Sequence, residues 1–148
     1  MKKLLVICFG WILFGCDTNE APPKSTWTKE QIEEKRAIAK KVMEVHDTTM
    51  VLMDKIHENL NHLEELRAKA DSSNFSKIDS ATQLLITADD DMMNWMRNYR
   101  EPSDTINYAD AKKYLLRQKE KIDAVEVITY QAIDYSDFVL NNAQDTLN

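Results

Sequence analysis

The sequence has 148 residues, with 19 basic and 25 acidic side chains and a formal charge of -6. That length holds one domain around one core. The acidic balance argues against nucleic acid and against electrostatic docking on anionic lipid. Both glycines, Gly10 and Gly15, fall in the first fifteen residues, so nothing after them can form a glycine-rich phosphate loop or dinucleotide fingerprint.

The chain opens "MKKLLVICFGWILFGC". A basic pair followed by an apolar run from Leu4 to Phe14 fits a secretory signal core and is too short to span a bilayer. The run ends Leu13-Phe14-Gly15-Cys16, which resembles the lipobox of bacterial lipoproteins, although Phe14 is bulkier than the small residue usual there. The resemblance implies that residues 1–15 are removed and that Cys16 is acylated and becomes the new N-terminus. The alternatives are an ordinary secreted protein cleaved nearby and an uncleaved signal anchor. Cys8 lies inside the signal, so lipidation of Cys16 leaves no thiol for disulfides, thiolate metal sites or cysteine nucleophiles. Losing Lys2 and Lys3 leaves 17 basic residues against 25 acidic ones, a formal charge of -8. Residues 16–26, rich in polar residues and with Pro22 and Pro23, read as a short tether.

The domain proper is expected over residues 27–141. Thr28 and Gln31 have capping-box spacing, and Trp27 is placed to staple onto Ile32. Ile38, Val42, Val45, Leu52, Ile56, Leu60 and Leu63 then recur at helical spacing, giving a helix over about 28–70. "DSSNFS" breaks the pattern. A second helix over about 76–100 carries a heptad seam of Ile78, Ala81, Leu85, Ala88, Met92, Trp95 and Tyr99, and Pro102 stops it. A third, over about 107–141, carries Ala111, Leu115, Gln118, Ile122, Val125, Thr129, Ala132, Ser136 and Val139, and residues 142–148 read as a frayed tail. No stretch alternates with a period of two. The expected fold is all-α, an antiparallel up-down-up three-helix bundle with coiled-coil-like packing.

Five residues of the first helix, Met43, His46, Met50, Met53 and His57, fall within an arc of about 80°. A turn near Ser72 and Ser73 sets them against "DDDMMNWMRNY", residues 89–99: Met50 opposite Trp95, Met53 opposite Met92, His57 near Asp89 and His46 near Tyr99. One reading is a core layer in which thioethers fill gaps beside an aromatic ring and each histidine is held by an acidic or phenolic partner. The other is a soft-metal site of the copper(I) type formed by His46, Met50, Met53, His57, Met92 and Met96, with Trp95 as a lid.

"HENLNH", residues 57–62, is not a zinc-protease motif, because His57 and His62 are five apart, about 140° around a helix. Of Asp89, Asp90 and Asp91, only Asp89 borders the seam. No nucleophile-and-base arrangement is visible, so no enzyme and no cofactor are expected.

"VMEVHDTTM" together with "ADDDMMNWMRNY" resembles a family of small bacterial lipoproteins often labelled viral A-type inclusion protein, which share a lipobox, a histidine-aspartate pair with a following methionine, and a methionine-methionine-x-tryptophan-methionine run before a tyrosine. The resemblance implies location and fold, not an activity. The expectation is therefore a lipid-anchored protein of the bacterial cell envelope, extracytoplasmic and more at home in the outer than the inner membrane. Its membrane contact would be through acylated (palmitate-type) Cys16. A binding or envelope-organising role with an envelope protein partner is expected, and soft-metal binding is the alternative.

Overall fold

The computed structural model describes residues 25–147, with side chains up to Ala143. The expected signal segment 1–15, Cys16 and the tether up to residue 24 lie outside the described residues. Those residues are all-helical, with no strand among them: α1 Lys29–Met50, α2 Met53–Lys69, α3 Phe75–Asn98 and α4 Tyr108–Leu147.

At the start of α1, the Thr28 hydroxyl accepts from the Gln31 backbone N–H at 3.2 Å, and the Gln31 side chain accepts from the Thr28 N–H at 2.9 Å. Two otherwise unpaired helix donors are thus satisfied. Trp27 also has partners far along the chain. Its indole N–H donates to the Ile106 carbonyl at 2.8 Å, and its ring sits edge-on to Tyr108 at 5.5 Å. Tyr108 and Lys112, in the first turns of α4, both donate to Glu34 of α1.

The single helix expected over 28–70 is two helices, parted at Val51 and Leu52. The cause lies just before the break. The Thr48 and Thr49 hydroxyls donate back to the carbonyls of Glu44 and Val45, and the Leu52 N–H reaches only three residues back, to Thr49, at 2.9 Å. Back-bonding threonines bend a helix, and a turn closed three residues back is tighter than the α form.

At the far end, Ala70 is extended and stops α2. The Asp71 carboxylate accepts from the Ser73 hydroxyl and backbone N–H, which hold its pKa below the ordinary carboxylate range. Arg67 bridges to Asp79 at 2.8 Å with its guanidinium 3.3 Å above the Phe75 ring, tying α2 to α3. Extended Tyr99 ends α3 at Asn98, shortly before Pro102. α4 does not end near 141 as expected but runs to Leu147. Leu140 and Ala143 still pack on the core there, which supports the helix where a frayed tail was expected.

Ile78, Ala81, Leu85, Ala88, Met92 and Trp95 of α3 are buried, as are all nine seam positions of α4, polar ones included. On α1 and α2 the buried line is Ala39, Val42, Thr49, Met53, Ile56, Asn59, Leu63 and Leu66, which takes in Val42, Ile56 and Leu63 of the expected aliphatic stripe and Met53 of the methionine stripe. α4 packs against all three other helices, and α2 also packs against α3. Contacts between α2 and α3 join His57 to Asp89 and Arg67 to Asp79. Contacts with α4 join Glu34 to Tyr108 and Asn59 to Ser136.

Candidate functional site

The six residues of the candidate metal set are spread from core to surface. Met53 and Met92 are enclosed in the core. Met50 is half-buried against it, and Met43 beside it is likewise. Met96 reaches the surface. His57 is 58% exposed, with Nε2 3.5 Å from an Asp89 carboxylate oxygen, which is the neighbour expected from the turn near Ser72. His62 is exposed. Among the described residues no group of three His, Cys, Asp or Glu is placed to hold a metal ion. Cys16 lies outside them.

His46 is the more enclosed histidine. Its side chain is 15% exposed, with Nδ1 2.9 Å from a carboxylate oxygen of Asp47. Its ring lies on Trp95 at 5.4 Å, one turn from the expected neighbour Tyr99. Trp95 in turn stacks on Tyr99 at 4.9 Å, and Tyr99 lies 6.4 Å from Tyr114 of α4. One aromatic run therefore links α1, α3 and α4. Burial, reinforced by Glu101 and Tyr114, pushes the Tyr99 hydroxyl up to about 12, so it stays protonated at ordinary pH. It has no hydrogen-bond partner, and neither does the Trp95 indole N–H.

A second polar group lies deeper. The Asn59 amide nitrogen donates to the Ser136 hydroxyl and the Asp137 carboxylate, both at 2.8 Å, while its carbonyl oxygen is buried without a partner. Thr129 is buried in the α4 seam with an unpartnered hydroxyl. The sequence marked Gln118, Thr129 and Ser136 as polar seam positions but assigned them no role. The only signal available was a polar residue where the heptad calls for an apolar one. The run into Tyr114 carried no such mark, because Tyr114 lies off the α4 seam.

Compared with models of protein families, with curated proteins and with solved structures, the chain matches none.

Proposed function

We propose that this chain is a lipid-anchored, extracytoplasmic protein of the bacterial cell envelope, with a binding or envelope-organising role and no catalysis. The observation that carries the reading is the sequence Leu13-Phe14-Gly15-Cys16 after a basic, apolar leader. A proline-bearing tether and a capped first helix follow it, an order that suits a domain held at a membrane by its first residue. In this reading the domain is an up-down-up bundle in which α1 and α2 together form the first arm. The pairing of His57 with Asp89 and of Glu34 with Tyr108 supports that order. Attachment in this reading is covalent, through two or more acyl chains on Cys16, since the acidic balance of the chain disfavours electrostatic docking on anionic lipid. The resemblance to the lipoproteins labelled viral A-type inclusion protein supports the same placement. Changing Cys16→Ser should abolish acylation, checked by intact mass and detergent partitioning. A mature wild-type protein carrying no acyl mass sinks the proposal.

A second reading, copper(I) binding by the methionine and histidine layer, is favoured by His46. A carboxylate on one ring nitrogen is the usual support for a histidine that ligates through the other, and Asp47 takes that place at Nδ1. Thermal unfolding under reducing conditions, with and without copper(I), tests it, because a ligand of the folded state raises the midpoint. A shift lost on changing Met50→Leu and Met53→Leu together would support the metal. No shift in the wild type leaves the layer as core.

A further inference from the structure

α4 carries an apolar line that its packing does not use. Leu116, Val127, Tyr130 and Phe138 are each between 46% and 57% exposed. At about 100° per residue they fall within an arc of about 80°, on the side of α4 opposite its buried seam. Large apolar side chains lined up on one exposed face, rather than scattered singly, mark an interaction surface. At the first turns of α4 the line crosses a shallow groove of 410 Å³, lined by Ala109 and Leu116 with Lys112, Lys113 and Arg117.

The charges along the same helix are sorted by end. Every Lys and Arg of α4 lies at or before Lys121, and none follows up to residue 148. The later turns instead carry Asp123, Glu126, Asp134 and Asp137. Lys112 and Lys119 are already engaged, by Glu34 and Asp123, and Asp137 meets Lys55 and Asn59. Lys113 and Arg117 at one end and Asp134 at the other enter no ion pair among the described residues.

This sorting narrows what can cover the face. An anionic surface suits the first turns and meets repulsion along the rest. A basic helix from another protein suits the rest and leaves the groove uncovered. A second copy of α4 running antiparallel suits both, because each half of the face meets the half it lacks. A parallel copy would set Lys113 and Arg117 on their own counterparts. With residue i placed opposite about residue 250 − i, Phe138 of one copy enters the groove of the other beside Lys112, Asp137 faces Lys113, and Asp134 lies beside Arg117. Glu120 then lies by the Tyr130 hydroxyl, a hydrogen-bond donor. Val127 lies by Asp123, whose charge Lys119 offsets at 2.6 Å.

We propose that this face pairs the chain with a second copy of itself, α4 against α4, antiparallel about a two-fold axis at the level of Val125. The same patch serves both partners, as a two-fold interface requires. The proposal goes beyond the anchor reading and does not depend on Cys16, so its failure leaves that reading untouched. If the Trp27 ends of both copies are held at one bilayer, the pair lies along the surface, whereas a lone chain is free to stand away from it.

The test is sedimentation equilibrium of the purified full-length chain in a density-matched detergent, with micelles in excess so that chance co-occupancy is rare. The expected result is a protein mass that rises from one chain to two with concentration. Arg117→Asp and Asp134→Arg should each weaken association by about tenfold or more, and so should Phe138→Ser. All three residues are exposed, so helical content by circular dichroism should hold. Arg117→Asp and Asp134→Arg combined should restore the pair, because opposite charges again face each other with their signs exchanged. The mass of one chain at every concentration overturns the proposal and leaves the face to a partner of another kind. A dimer indifferent to Phe138→Ser and Arg117→Asp overturns it too, since it must use another surface. So does a combined variant as weak as the single ones, which removes the antiparallel register.

Discussion

At Glu34 one carboxylate receives both the Tyr108 hydroxyl and the Lys112 ammonium. The Lys112 contact first, and Tyr108 second, hold its pKa below the ordinary value of 4.5. A carboxylate whose pKa is lowered by folding contributes stability that is fully present above its unfolded pKa and is lost as pH falls through the folded one. Wild type and Glu34→Gln should therefore differ in melting temperature near neutral pH and converge below about pH 4. A constant difference across that window would mean that the carboxylate is held by nothing specific. Tyr108 shows the other side of the contact, its hydroxyl pushed up to about 12 chiefly by the bond to Glu34. Met50 and Met53 pose a different question at the same scale. Leucine keeps most of methionine's volume and apolarity, so each change in the Met50→Leu, Met53→Leu pair should cost under about 1.5 kcal/mol in chemical unfolding if packing is their whole role.

The join between α1 and α2 shows how little is needed to interrupt a helix. Thr49 is buried, yet its hydroxyl bonds only to its own helix, at Val45. Thr49→Val keeps the branched shape and strands no partner, because the Val45 carbonyl loses only an extra donor. We expect a stability change within about 1 kcal/mol, and a drop well beyond that would assign the hydroxyl a further role. On α3, Trp95 meets α1 through His46 and α4 through the Tyr99–Tyr114 pair. Trp95→Ala should therefore cost about 3–5 kcal/mol in denaturant unfolding, and a change of a few tenths would mean that the stack carries little packing. The α3 and α4 seams were legible because each helix there buries a narrow line with steps of three and four. The α1–α2 line was blurred because the buried arc is wide, so that Ala39, Thr49 and Asn59 lie inside it while Val45 and Leu60 lie at its edge. The break at Val51 was not legible, since threonine is compatible with an unbroken helix. For the candidate site, the turn near Ser72 fixed the level at which His57 meets Asp89. Register says nothing of depth, however, and so it could not tell enclosed Met92 from surface Met96.

Across the whole molecule, the core is not purely apolar. Asn59 on α2 joins Ser136 and Asp137 on α4, and its own carbonyl oxygen is left without a partner. Such a group costs stability but opposes any sliding of one helix past another, a role known for buried asparagine between helices. Asn59→Leu should hold or raise the unfolding free energy, by up to about 3 kcal/mol, the cost of an unmatched buried polar group. It should also broaden the NMR signals of residues around Ser136. A large loss of stability with sharp signals would reverse that assignment. The clamp of Trp27 on Ile106 has a consequence of a different kind. It fixes the front of the domain beside the start of α4, while the turn at Asp71–Asn74 meets α4 near Phe138, through Asn74 and Lys77. A helix of 40 residues rises about 60 Å. If the front end is held at a bilayer, the domain is a rigid spacer whose opposite tip can stand tens of ångströms from the lipid. Its reach is then set by the length of α4, so removing whole heptads from α4 and the matching stretch of α2 and α3 would shorten that reach without altering the anchor.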